Sequence, residues 1–142
     1  MVETKKQVSD FNQIIKYLHG AKRKINIAAK ILKLSEEAAF QIAYEAMIKA
    51  SIGLMLSQGI RPRIGPGYHK IIIKFAGKIL GKEFESLITT FNYMRRKRNR
   101  FIYEVDALIT EKEAEDSIKI ANKYLAIIES IIQTKNPQKK LL

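Results

Sequence analysis

From Ile14 to Ile132 the apolar residues of this chain return every three or four positions, the period of a helix that buries one face. Ile14, Leu18, Ala21, Ile25, Ala28 and Leu32 predict a first helix over about 10–33, with Ser9 as its cap and Asp10 in its first turn. Ser35, followed by Glu36 and Glu37, predicts the start of a second helix that reaches about Gln58 and stops at Gly59. Its small residues Ala43, Ala46, Ala50 and Gly53 permit close approach of another helix. A third helix fits Tyr68 to Leu80, bounded by Gly81. The run Ile71-Ile72-Ile73 alone would also suit a strand, because β-branched residues favour strands. A fourth helix fits about Glu83 to Tyr103, with Leu87, Phe91, Met94 and Ile102 on one face. Thr110-Glu111-Lys112-Glu113 matches a capping box and opens a fifth helix that runs to about Thr134. Asn136-Pro137 ends regular structure, and a loose tail is expected from about residue 135.

These stripes need one another to be buried, so the expected fold is all-α: an antiparallel up-down bundle of about five helices in one domain over residues 1–142. That length supports a core without disulfides or metals. The prolines and glycines of 59–67 mark the one conspicuous loop, where no regular structure is expected. No apolar run approaches the roughly 18 residues of a membrane span, and MVETKKQVSDFN does not read as a signal peptide. With no cysteine present, thiolate chemistry is excluded and a cytoplasmic location is expected.

Charge gives the first functional clue. The chain carries 26 Lys and Arg against 14 Asp and Glu, a formal net charge of +12. Residues 60–100 hold 11 basic and 2 acidic side chains, whereas 104–129 hold 3 basic and 7 acidic. Such a field suits a polyanion or an acidic protein partner, although a merely solvated basic surface has the same composition.

The basic side chains concentrate in Arg95-Arg96-Lys97-Arg98-Asn99-Arg100, just before Phe101-Ile102-Tyr103. On a helix, Arg95, Asn99 and Tyr103 share a face. Arg98 lies four residues from Met94 and from Ile102, on the apolar stripe, where an unpaired charge is costly. It must enter a cleft, meet a carboxylate such as Glu45, Glu104 or Asp106, or sit at a subunit interface. Arg96, Lys97 and Arg100 should face water. A guanidinium clamps phosphate through two donors, and Asn99 can orient a ligand oxygen. Tyr103 can donate a hydrogen bond but is a poor base near neutrality. His69 follows the loop and could reach Arg98 if the third and fourth helices pack antiparallel, where it could act as acid or base. Arg61 and Arg63 either assist a polyanion or are solvated loop charges. Tyr44 reads as packing at the core edge. His19 and His69 form no metal site, and Gly65-Pro66-Gly67 lacks the features of a phosphate-binding P-loop, so no cofactor is expected.

In order and spacing the sequence resembles a HEPN domain. The resemblance runs through Tyr17-Leu18-His19-Gly20-Ala21, Ala28 to Leu32, Ala43 to Ala50, Leu54 to Gly59, His69-Lys70 and Phe75, and peaks at Arg98-Asn99-Arg100-Phe101-Ile102-Tyr103. It implies a small helical protein that binds nucleotides or RNA. Active members carry an Arg, four to six residues, then a His, and cleave RNA without metal; some are toxins paired with nucleotidyltransferase antitoxins. Arg98 and Asn99 match that motif, and Tyr103 stands where the histidine is expected. The resemblance therefore implies Arg98 and Asn99 as phosphate contacts, and Arg98, Tyr103 and His69 as catalytic candidates; charge and helical position add Arg95, Arg61 and Arg63 as candidate ligand contacts. It also implies a homodimer and an acidic nucleotidyltransferase-type partner. Binding without catalysis, an active endoribonuclease and a purely structural interaction module all remain open at this point.

Overall fold

A computed structural model describes residues 3–138, and the last part of the expected tail lies outside them. The chain forms β1 (Thr4–Lys6), α1 (Phe11–Ile31), α2 (Glu36–Ser57), β2 (Ile60–Pro62), α3 (Tyr68–Leu80), α4 (Glu85–Tyr103) and α5 (Glu111–Lys135). It is an all-α helical bundle. Lys82–Phe84 is a short 3-10 turn leading into α4. The isoleucine run of α3 is helical because Ile72, Ile73, Ala76 and Leu80 bury one helical face.

The caps explain the helix starts. Ser35 accepts from the Ala38 amide, and Thr110 with Glu113 forms the expected capping box. At α1 the cap is Asp10, whose carboxylate accepts from the amides of Asn12 and Gln13. Ser9 instead donates to the carbonyl of Leu56 at the end of α2.

The loop expectation for 59–67 fails in its first part. Ile60–Pro62 pairs antiparallel with Thr4–Lys6, Lys5 opposite Arg61. Two further backbone bonds, Gln7 to Gly59 and Arg63 to Glu3, extend this clasp. It satisfies amides that the loop would otherwise leave to water.

Helix α2 is the centre of the molecule. It touches α1, α3, α4 and α5, and residues 54–57 are buried in succession. A helix apolar around its circumference belongs inside a bundle. Its contacts with α1 pair Gly53 with Leu18, Gly20 with Lys49, and Lys24 with Glu45, so the two helices run antiparallel. A Cβ on Gly53 would lie 3.1 Å from Leu18 Cδ2, so only glycine allows this approach without a shift. Helices α3 and α4 also form an antiparallel hairpin, with Gly77 against Ile88. Through the core runs a chain of edge-to-face rings: Tyr44 to Phe91 at 5.7 Å, then Phe91 to Tyr124 at 5.2 Å. It ends where Tyr124 Oη meets Ser51 Oγ at 2.5 Å.

Candidate nucleic-acid interface

The antiparallel α3/α4 hairpin places the start of α3 beside the second half of α4. A 380 Å³ pocket opens there, lined by Gly67, Tyr68, His69, Lys70, Arg95, Arg98 and Asn99. Thus His69 and Arg98, 29 positions apart in sequence, share one cavity.

Arg98 is half-buried, and its Nε is buried without a hydrogen-bond partner, the only such side-chain atom among the described residues. Its guanidinium carbon lies 5.8 Å from the Tyr44 ring centroid, a cation–π contact. Among the described contacts, none of the carboxylates that might have paired with it does so. Glu45 pairs with Lys24 at 3.4 Å and Glu104 with Arg100 at 3.1 Å, while Asp106 is exposed. An Arg pairing inside the bundle is therefore not what the fold provides. A guanidinium on a residue that lines the pocket, with no carboxylate partner among the described residues, is the property expected of a group awaiting an anion.

Arg95 Nε donates to Asn92 Oδ1 at 2.9 Å, which fixes Arg95 on the same wall. Asn99 lies one turn further along the same face. His69 Nδ1 is 2.9 Å from the hydroxyl of Tyr44, and Tyr44 is fully buried. Burial pushes the Tyr44 phenol well above its ordinary value, against the pull of Arg98, so it keeps its proton. It can donate to a bare Nδ1 or accept from a protonated one, and so serves both charge states of the ring. Burial, and then the positive charge of Arg98, lower the His69 pKa below its ordinary value, opposed only by Glu45. The ring is consequently neutral at pH 7 and able to accept a proton.

The other sequence candidates fall elsewhere. Tyr103 is 84 % exposed at the end of α4 and does not line the pocket. Arg61 donates to Gln7 at 3.2 Å beside the small sheet, and Arg63 is exposed. Lys97 does not face water: its ammonium meets Glu113 at 2.9 Å, and each partner holds the other charged. Ile102 is exposed, and Phe101 takes the inward place, edge-on to Phe40 at 5.8 Å. Tyr44 was the missed member. A tyrosine in an apolar helix reads as core, and only the position of His69 reveals what its hydroxyl does.

A family model for the HEPN domain matches residues 15–131, which spans all five helices in whole or part. The chain belongs to the HEPN domain family. No curated protein matches the chain significantly. The match includes both sides of the pocket of this HEPN protein, His69 on α3 and Arg98 on α4. No helix among the described residues is long and apolar enough to cross a membrane.

Proposed function

We propose that this HEPN protein binds RNA or a nucleotide by a phosphate group in the His69–Arg98–Asn99 pocket. The observation that carries the reading is the orphaned Arg98 Nε beside an open cavity that also holds Arg95 and Lys70. Arg98 supplies charged donors to the phosphate, Asn99 orients an oxygen, and Arg95 adds field. Arg61, on β2, and Arg63, just after it, contribute to attraction at longer range. The net charge of +12 steers a polyanion towards this face.

A second reading is favoured by one specific observation: His69 lines the same cavity. In a metal-independent cleavage, His69 takes the proton from the RNA 2′-hydroxyl and the 2′-oxygen attacks phosphorus. Arg98 stabilises the added negative charge. The P–O5′ bond then breaks, and the departing 5′-oxygen takes a proton from water. The products are a cyclic phosphate and a 5′-hydroxyl. A third reading, a structural interaction module, lacks an equivalent observation, because it leaves the Arg98 donor unexplained.

Two partners accompany the proposal. Ile102, Tyr103, Val105 and Leu108 are large apolar side chains exposed together after the pocket, and a second copy of the chain would cover them. The basic face also suits an acidic nucleotidyltransferase-type protein, with this chain as the toxin-like half of the pair. A cytoplasmic location accords with both.

The test is single-stranded RNA incubated with wild-type protein, R98A and H69Q in the presence of a chelator, read for binding and for cleavage. Binding that weakens with salt and falls at least tenfold in R98A supports the phosphate pocket. Salt-insensitive binding unchanged in R98A overturns it. Cleavage lost in H69Q while binding persists supports the ribonuclease reading; no wild-type cleavage above background overturns it.

A further inference from the structure

The pocket does not end at Lys70. The same lysine also lines a second, larger groove of 670 Å³ between α3 and α4. Lys70, Lys74 and Lys78 stand at successive i, i+4 positions along α3, Lys82 follows the turn, and Arg96 faces them from α4. Glu85, at the far end, is the one carboxylate in the lining. Between these charges the floor is apolar, built from Ile73, Gly77 and Ile88. Gly77 and Ile88 are in close contact, so the two helices meet at the floor and the groove stays shallow and open.

Like charges four residues apart repel each other and cost stability. Here three stand in a row. Among the described residues only Lys74 of these has an acidic partner, Glu3 at 2.6 Å, and that exposed pair is readily exchanged for another anion. Thr89 and Asn92 add hydrogen-bonding groups along the α4 wall. The groove thus offers a line of cations, an apolar floor and a few polar edges, and it joins the phosphate pocket through a shared residue. Within α3 the span from Lys70 to Lys78, eight residues at helical rise, is about 12 Å, and Lys82 lies beyond the turn.

We propose that this groove is a track for single-stranded RNA, carrying the nucleotides that flank the phosphate held by Arg98. The lysines follow the backbone and the apolar floor receives base faces, as in other sequence-tolerant single-strand channels, whose sites begin at about 4 nucleotides. The inference rests on the pocket reading and adds a commitment to the ligand: an oligonucleotide rather than a mononucleotide. An acidic helix of a protein partner would satisfy the charges, but it has no reason to continue into a pocket that holds an unpartnered guanidinium donor.

The experiment measures fluorescence anisotropy of labelled single-stranded RNAs of 4 and 12 nucleotides, in chelator, over a salt series. Wild type, K78E/K82E and R98A are compared. Both lysines of the double variant are exposed. The expected result is that wild type binds the 12-mer at least tenfold more tightly than the 4-mer. K78E/K82E should lose that advantage and lower the salt slope by about 1.4 or more, at roughly 0.7 per phosphate contact, while keeping its affinity for the 4-mer. R98A should weaken both oligomers. Unchanged 12-mer affinity and salt slope in K78E/K82E would overturn the track while leaving the pocket intact, and would leave the groove to an acidic helix. Failure of wild type to bind either oligomer would overturn the pocket reading itself, and the track with it.

Discussion

The hydroxyl of Tyr44 lies 2.9 Å from Nδ1 of His69, joining the fully buried centre of α2 to the first turn of α3. The phenol is itself held by its ring contact with Phe91 and stands 5.8 Å from the Arg98 guanidinium. One buried side chain therefore touches both groups that give the pocket its chemistry. Tyr44 contacts no ligand in this scheme. Its role is to position His69 and to tolerate either charge state of the ring.

Tyr44→Phe removes the hydroxyl and preserves the ring. The ring contacts with Phe91 and Arg98 persist, so the loss in stability should be that of one hydrogen bond, about 1 kcal/mol. The His69 ring, no longer anchored, should show a changed NMR titration, while the helical circular dichroism is retained. If His69 acts in cleavage, the variant lowers the rate without a matching loss of RNA affinity.

The depressed pKa of His69 predicts a pH dependence of stability. Above about pH 6.5, the ordinary histidine value, folded and unfolded states are both neutral and the group has no effect. As the pH falls through 6.5, the unfolded histidine takes up a proton before the folded one does. Unfolding then binds protons, so stability falls with pH until the folded pKa is passed. His69→Gln should flatten this part of the denaturation profile, which a urea midpoint measured between pH 7.5 and 5 would show.

The helices were legible because their signals are local. Ser35 with Glu36 and Glu37, and Thr110 with Glu113, announce helix starts within four residues, and both caps form. At α1 two good capping residues stand side by side, and the choice of Asp10 over Ser9 depends on Leu56, 47 positions away from Ser9. The β1–β2 clasp was invisible for a related reason: three-residue strands more than 50 positions apart carry no alternation to read. Within the site, the apolar stripe pointed to Arg98, which the fold places half-buried beside the pocket. It could not choose between a carboxylate and a cleft, because Glu45 is spent on Lys24 by the packing of α1, and Glu104 on Arg100 one turn back along α4. The stripe also misjudged the last turn of α4, where Phe101 rather than Ile102 turns inward to meet Phe40.

Ser51 and Tyr124 test the other end of the aromatic chain. Ser51 donates to the Met47 carbonyl at 2.8 Å, so the hydrogen in the 2.5 Å contact comes from Tyr124. Both side chains are fully buried. Ser51→Ala strands the Tyr124 hydroxyl and should cost about 1–3 kcal/mol. Tyr124→Phe removes donor and hydroxyl together and should cost about 1 kcal/mol or less. Chemical denaturation of the two variants should show this order; the reverse order would contradict the assigned donor.

Arg98 separates function from stability. Its buried Nε has no partner, a state worth about 1–3 kcal/mol of penalty, offset in part by about 0.5–1 kcal/mol from its position over Tyr44. Arg98→Met keeps much of the side-chain length and removes both the charge and the orphaned donor. The variant should be at least as stable as wild type, with a melting temperature unchanged or raised by about 3 °C. The same variant should lose at least tenfold in RNA affinity, since the phosphate would meet a thioether in place of a guanidinium. A residue kept for the fold would behave in the opposite way: Arg98→Met would lower the melting temperature and leave binding alone. Thermal melting and anisotropy on one preparation decide between them, because the two outcomes move in different directions on both axes.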